Sequence, residues 1–173
     1  MEKETSEFSY RVDINQIPAS GTVLTLHADE QQCAALAKRF GLNAVLEFCA
    51  EAVLNRVNKQ RVRMKASFSA RVVQECVVTL EPFEQRVHDD FVIVFSSENE
   101  PSLRKNEIDL DMGEEDDIEF VDNGKADVGE LIAEYFSLAL DPFPHSPDAV
   151  FRPQSDEENV KNAFSVLEKL KNK

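Results

Sequence analysis

Residues 61–72 alternate without a break. Arg61, Arg63, Lys65, Ser67, Ser69 and Arg71 fall on one parity, and Val62, Met64, Ala66, Phe68, Ala70 and Val72 on the other. A period of two places one set against a core and the other in water, so this stretch is a strand of a half-buried sheet. Its wet face carries Arg61, Arg63, Lys65 and Arg71 in a row about 35 Å long at roughly 3.3 Å per residue. With Arg56 and Lys59 just upstream, these cations form a basic cluster. Two readings fit them: an ordinary solvated sheet face, or a strip that docks phosphate or an acidic protein surface. No aromatic residue interleaves there, so base stacking is not indicated.

The remaining charge is opposite in sign. The chain has 173 residues and a formal net charge of −14. Nine acids and no base lie between Glu107 and Asp122, among them Asp109, Asp111, Glu114, Glu115, Asp116, Asp117 and Glu119. Like charges at this density repel, and the stretch 98–124 is expected to be a solvated acidic loop. It is a poor calcium loop, because Leu110 and Met112 interrupt the acids and Gly113 comes one position early for an EF-hand. A net acidic chain disfavours non-specific binding to nucleic acid or membrane, and DNA and membrane partners are not expected.

Apolar residues make up 42% of the chain, enough for a core. No apolar run approaches the roughly 18 residues of a membrane span. Met1–Glu7 is polar and acidic, so no secretory signal is expected. Three cysteines, an odd number, argue against a disulfide framework and for a reducing, cytoplasmic setting.

Along the chain, 8–12 alternates weakly and 22–27 is a strand by its Val23, Leu24 and Leu26. Asp29 caps a helix carrying Cys33, Leu36, Ala37 and Phe40, and Gly41 stops it. Residues 42–57 fit helix and strand equally by period, with composition leaning to helix. Residues 60–80 are extended, a break falls at Glu81–Glu84, and 87–95 is a strand with Phe91, Ile93 and Phe95 on one face. Asp127 caps a helix over 127–139, whose Leu131, Tyr135, Leu138 and Ala139 are expected to face the core. A Pro-rich stretch follows from Phe143. Residues 151–173 form a linker and an amphipathic tail with Phe164, Val166, Leu167 and Leu170, which either docks into a partner groove or folds back on its own domain. Residues 1–150 are expected to form a single domain.

Catalytic patterns fail. His27, His88 and His145 sit in no paired metal spacing, and Cys33, Cys49 and Cys76 form no C-x-x-C pair. Five glycines, none in a phosphate-cradling cluster, leave no nucleotide loop. No enzyme, cofactor, metal or small-molecule substrate is expected. From the residues alone, the chain is a binding or adaptor protein.

Three stretches carry a family resemblance. Residues 66–83 contain Gln74-Glu75-Cys76-Val77-Val78-Thr79-Leu80-Glu81-Pro82. Residues 127–144 run from Asp127-Val128-Gly129-Glu130 to Asp141-Pro142-Phe143-Pro144. The tail holds Asn162-Ala163-Phe164-Ser165-Val166-Leu167-Glu168-Lys169-Leu170-Lys171. With the acidic spacer between the first two, they resemble the YceD family of bacterial and plastid proteins, over roughly residues 8–171. The resemblance implies a non-catalytic role in large-subunit ribosome assembly and 23S rRNA accumulation, through rRNA or a ribosomal protein. The alternative is an acidic escort for a basic ribosomal protein without RNA contact. Family genes often neighbour that of a small zinc-ribbon protein of the large subunit, which makes that protein a candidate partner. Many members carry Cys-x-x-Cys where this chain has Cys76-Val77-Val78-Thr79, so no metal or redox role of such a pair carries over. The resemblance also implies that 43–57 is a strand. The expected fold class is therefore α+β, with an antiparallel β-rich core (strands near 8–12, 22–27, 43–57, 60–80 and 87–95). Helices are expected near 29–40 and 127–139, with a C-terminal amphipathic helix.

Overall fold

A computed structural model describes residues 6–97 and 117–150. The expected tail helix, with Phe164, Val166, Leu167 and Leu170, lies outside the described residues, as do Asp109, Asp111, Glu114, Glu115 and Asp116.

The architecture is α+β. A five-stranded sheet has the order β2–β3–β4–β5–β6, from β2 (Thr22–His27), β3 (Ala44–Arg56), β4 (Arg61–Glu75), β5 (Pro82–Ser96) and β6 (Asp117–Phe120). All its pairs are antiparallel except β5–β6, which is parallel. Two short strands, β1 (Arg11–Asp13) and β7 (Lys125–Asp127), pair separately. Helices α1 (Glu30–Phe40) and α2 (Val128–Ala139) contribute to the core on one face of the large sheet.

The alternation in β4 holds over the whole strand: Val62, Met64, Ala66, Phe68, Ala70 and Val72 are buried. Residues 42–57, ambiguous by period, form β3 because Phe48, Ala50, Ala52 and Leu54 align with buried positions of β4. A bulge between Val45 and Glu47 resets the parity at one end of the strand.

Five phenylalanines join the layers. The Phe48 ring of β3 lies 5.1 Å from Phe8, 5.1 Å from Phe136 of α2 and 6.2 Å from Phe68 of β4. Phe136 also meets Phe40 of α1 at 5.7 Å and Phe68 at 6.0 Å. Edge and tilted contacts of this kind add to the burial of large apolar area.

Both helix starts follow their sequence signals. Asp29 and Gln32 form a reciprocal capping box, and Gly41 ends α1 in the left-handed region at φ 67°. The Asp127 side chain accepts from the Glu130 N–H at the start of α2. Arg39 near the end of α1 makes two hydrogen bonds to Glu130 of α2, at 2.6 and 2.9 Å, and one to Glu7 at 3.0 Å. Gly129 is a close-approach position, since a Cβ there would lie 2.6 Å from the Phe8 carbonyl oxygen.

Several sequence expectations need correction. The strand expected at 8–12 is displaced to Arg11–Asp13, and Phe8 is a core residue ahead of it. The extension through 80 ends at Glu75, because residues 76–80 close a turn with the Leu80 N–H donating to the Cys76 carbonyl. Strand β5 starts at Pro82, not 87. Pro82 can open the strand, as it is the first residue and needs no ladder donor. In α2 the buried stripe is Val128, Gly129, Ile132, Ala133 and Phe136. The expected Leu131, Tyr135 and Ala139 are partly buried and pack against the core, and only Leu138, two residues past Phe136 and on the far side of the helix, departs from the expectation at 78% exposed.

The stretch expected to be loop also holds structure. Asp117 and Glu119 belong to β6, whose residues pair with Ile93–Ser96. Asp117 lies near enough to Tyr135 of α2 to act on its phenol, and Tyr135 stacks on Phe91 with centroids 3.7 Å apart. Burial first, and then Asp117, push the Tyr135 phenol above its ordinary range.

Two measurements test this packing. Phe136→Ala should lower unfolding stability by about 3–5 kcal/mol in urea titration, because it removes a ring that three others touch. The second concerns pH. The hydrogen bonds from Arg39 hold the Glu130 carboxyl below its ordinary 4.5. The resulting stabilisation is complete above that ordinary value and is lost as pH falls through the lowered one. Glu130→Gln should therefore flatten the acid limb of the stability curve, and an unchanged limb would remove the pair from the account.

Candidate functional site

The face of the sheet away from the helices carries the predicted basic row. Arg63, Lys65 and Arg71 are exposed on it, with Arg61 partly buried at its start and Lys59 exposed in the β3–β4 turn. That turn is shaped by the Asn58 side chain, which accepts from the Gln60 and Arg61 N–H groups.

Arg56 does not join the row. It aligns with Val62, on the core-facing parity of β4. Its guanidinium donates to the carbonyls of Ile14, Asn15 and Ile17, at 3.1, 2.8 and 2.5 Å respectively. This satisfies backbone acceptors around the short 3-10 helix Ile14–Gln16, a structural use of the charge.

The strands beside β4 place acids next to the cations. Glu47 of β3 aligns with Arg71, and Glu51 with Ser67. On β5, Asp90 aligns with Ser67 and Arg86 with Arg71. Lys65 approaches Asp90 at 4.0 Å, and Arg71 approaches Glu84 at 3.8 Å. The open face thus mixes acids among its cations, with Arg71 and Arg86 the one like-charge pair named here, instead of presenting one continuous positive field. A shallow pocket of about 340 Å³ sits at the β3 bulge between Glu47, Ser69, Arg71 and Arg86. A larger one of about 590 Å³ between α1 and the start of β3 is lined mainly by small and apolar side chains, including Ala34, Ala37, Leu42 and Val45.

The sequence reading missed a second feature. The turn after β4 is bound to the irregular stretch after α2. The Val77 N–H donates to the Pro144 carbonyl at 2.9 Å, and the Ser146 N–H points at the Cys76 sulfur at 3.4 Å. Gln74 adds a contact from its side-chain amide to the Asp141 carbonyl. Cys76 is fully buried beneath this joint. The Thr79 side chain, then the Ser146 N–H, then the backbone N–H groups of Thr79 and Val78 favour the thiolate and hold the thiol down at about 6 against an ordinary 9.0. By contrast, burial first, and then Asp29 and Glu47, push the Cys33 thiol up. The signal was present in the sequence: a Cys and a Thr three apart, followed by Pro82, and a separate Pro-rich stretch. Only the fold brings the two together.

No group of His, Cys, Asp and Glu suited to hold a metal occurs among the described residues. No helix among them is long and apolar enough to cross a membrane.

Residues 64–171 match the family model of large ribosomal RNA subunit accumulation protein YceD. The chain belongs to the YceD family. The match begins within β4 and takes in β5, β6, β7, α2, the Cys76 turn and the stretch that binds it. The family is named for accumulation of the large-subunit rRNA, which associates this YceD-family chain with that process. No curated protein and no solved structure matches the chain.

The Cys76 environment gives a direct test. With Cys33 and Cys49 changed to Ala, thiolate absorbance should titrate with a midpoint near 6, and Thr79→Val should move that midpoint upward. A midpoint at the ordinary 9.0 would show that the donors around the sulfur do not act as described. By linkage, a lowered thiol pKa adds stability that is present at high pH and lost as pH falls through about 6.

Proposed function

We propose that this YceD-family chain supports large-subunit ribosome assembly without catalysis, by binding a basic ribosomal protein. The observation that carries this reading is the distribution of charge. The chain is at −14 overall, and the cations of the sheet face stand beside Glu47, Glu84 and Asp90. Such a surface repels RNA phosphate at long range and attracts a Lys/Arg-rich protein. The acidic residues Asp109, Asp111, Glu114, Glu115, Asp116, Asp117 and Glu119 extend the same field in the sequence. The tail residues Phe164, Val166, Leu167 and Leu170 supply a second, apolar contact in this reading.

A second reading is direct contact with the rRNA backbone through Lys59, Arg61, Arg63, Lys65 and Arg71. What favours it is the weakness of the compensation at Lys65. Its 4.0 Å pair with Asp90 joins two side chains that are each two-thirds exposed, and such pairs contribute little.

Sedimentation of lysate containing tagged protein, at low and moderate salt, separates the two. The first reading expects a basic large-subunit protein to co-purify, with binding that weakens as salt rises and survives reversal of Arg63, Lys65 and Arg71 to Glu. Co-migration with large-subunit rRNA precursors that is lost on that reversal would overturn it in favour of the second.

A further inference from the structure

We propose that the joint between the β4–β5 turn and residues 141–147 is a docking site for a basic, amphipathic protein segment. The inference rests on the reading that the partner is a basic protein, and it names the surface that would hold it.

Three large apolar side chains stand exposed on the two hydrogen-bonded segments of this joint. Val77 is 46% exposed, Leu80 69% and Phe143 69%. Single exposed apolar residues are ordinary, but three on one small structural unit are not. The unit is also rigid for a surface turn. The Cys76 N–H donates to the Glu81 carbonyl, the Leu80 N–H to the Cys76 carbonyl and the Val77 N–H to the Pro144 carbonyl. The Phe143 N–H donates to the Asp141 side chain, which fixes the backbone that presents the ring.

Leu80 is the sharpest observation. Its φ is 59°, in the left-handed region where Gly and Asn are favoured and a leucine carries strain. A turn whose only need is to reverse the chain would be more stable with Gly at this point. Leucine held there, with its side chain in water, fits a position that gains from burial in a complex.

Charge identifies the occupant. Residues 75–84 and 141–150 contain Glu75, Glu81, Glu84, Asp141 and Asp148, and no Lys or Arg. Glu75, Glu81, Asp141 and Asp148 are exposed, and no ion pair involves them among the described residues. Two tied segments that expose apolar side chains and carry acids without Lys or Arg match a partner segment with apolar side chains and Lys or Arg beside them. The same acids disfavour RNA at this site.

The test uses the full chain and a labelled amphipathic peptide of leucine and lysine, with its leucine–glutamate counterpart as control, read by fluorescence anisotropy. The cationic peptide should bind and the anionic one should not. Leu80→Asn, which relieves the backbone strain, and Phe143→Ser should each weaken binding about tenfold without lowering the melting temperature. A Glu75→Lys, Glu81→Lys double variant should weaken it as well and remove most of its salt dependence. Val23→Ser, at an exposed apolar position on β2, should leave it unchanged.

Equal binding by the wild type and the joint variants would overturn the assignment of this surface. In that case, purified basic large-subunit proteins that still bind the full chain would leave the proposed function standing. If instead they fail to bind while rRNA does, the function fails, whatever the peptide does. Binding that strengthens about tenfold in Phe164→Ser or Leu167→Ser would make the chain's own tail the occupant and would also overturn the proposal.

Discussion

The contact between Phe48 and Phe136 is the constraint on which the rest of this fold depends. One ring comes from the central part of β3 and the other from α2, almost 90 residues later in the chain. Around that pair close Phe8 from the N-terminal segment, Phe40 from α1 and Phe68 from β4. Without it α2 would keep its polar tie, Arg39 to Glu130, and its stack of Tyr135 on Phe91. Neither buries an area comparable to five phenylalanines, and the ion pair stands at a partly wet rim where it fixes orientation more than it adds stability. Because α2 is set this way, the chain leaving it passes beside the end of β4. The joint at Cys76 is therefore a downstream consequence of the aromatic core.

That dependence also explains what could be read in advance. The alternation in β4 was legible because a strand with one wet face writes its burial into every second residue. The caps at Asp29 and Asp127 and the stop at Gly41 were legible because they are local chemistry between residues two to four apart. The ambiguous stretch 42–57 was not legible from period alone. Its alanines suit a helix, and only pairing with β4 makes Ala50 and Ala52 core residues. The resemblance to a family supplied what the residues could not. Leu138 misled because a helix of mostly apolar residues offers more than one plausible stripe. Packing against the sheet selected Ile132, Ala133 and Phe136 over the face that includes Leu138.

The candidate surfaces show the same division. The alignment of the basic row was legible, since its members share a strand and a parity. Its electrostatic character was not, because that is set by residues on β3 and β5 which the sequence separates from it. Arg56 is the extreme case: adjacent in the list of cations, it stands on the opposite face and binds three backbone carbonyls. A charge inventory along a chain is thus informative about net field and weak about local field. The sheet register converts one into the other.

Cys76 carries this argument a step further. A thiol among backbone N–H groups and a threonine hydroxyl has the donors that a thiolate needs, and the family match covers the segment that provides them. In this chain the position three residues on is Thr79, whose side chain favours the thiolate and offers no second one. The turn keeps its shape through the backbone hydrogen bonds of Cys76, Val77 and Leu80 and the contact of the Ser146 N–H with the sulfur, and these hold the segment that presents Val77 and Leu80. What the sulfur stabilises here is the joint itself, by drawing the Ser146 N–H and the stretch after α2 onto the end of the sheet.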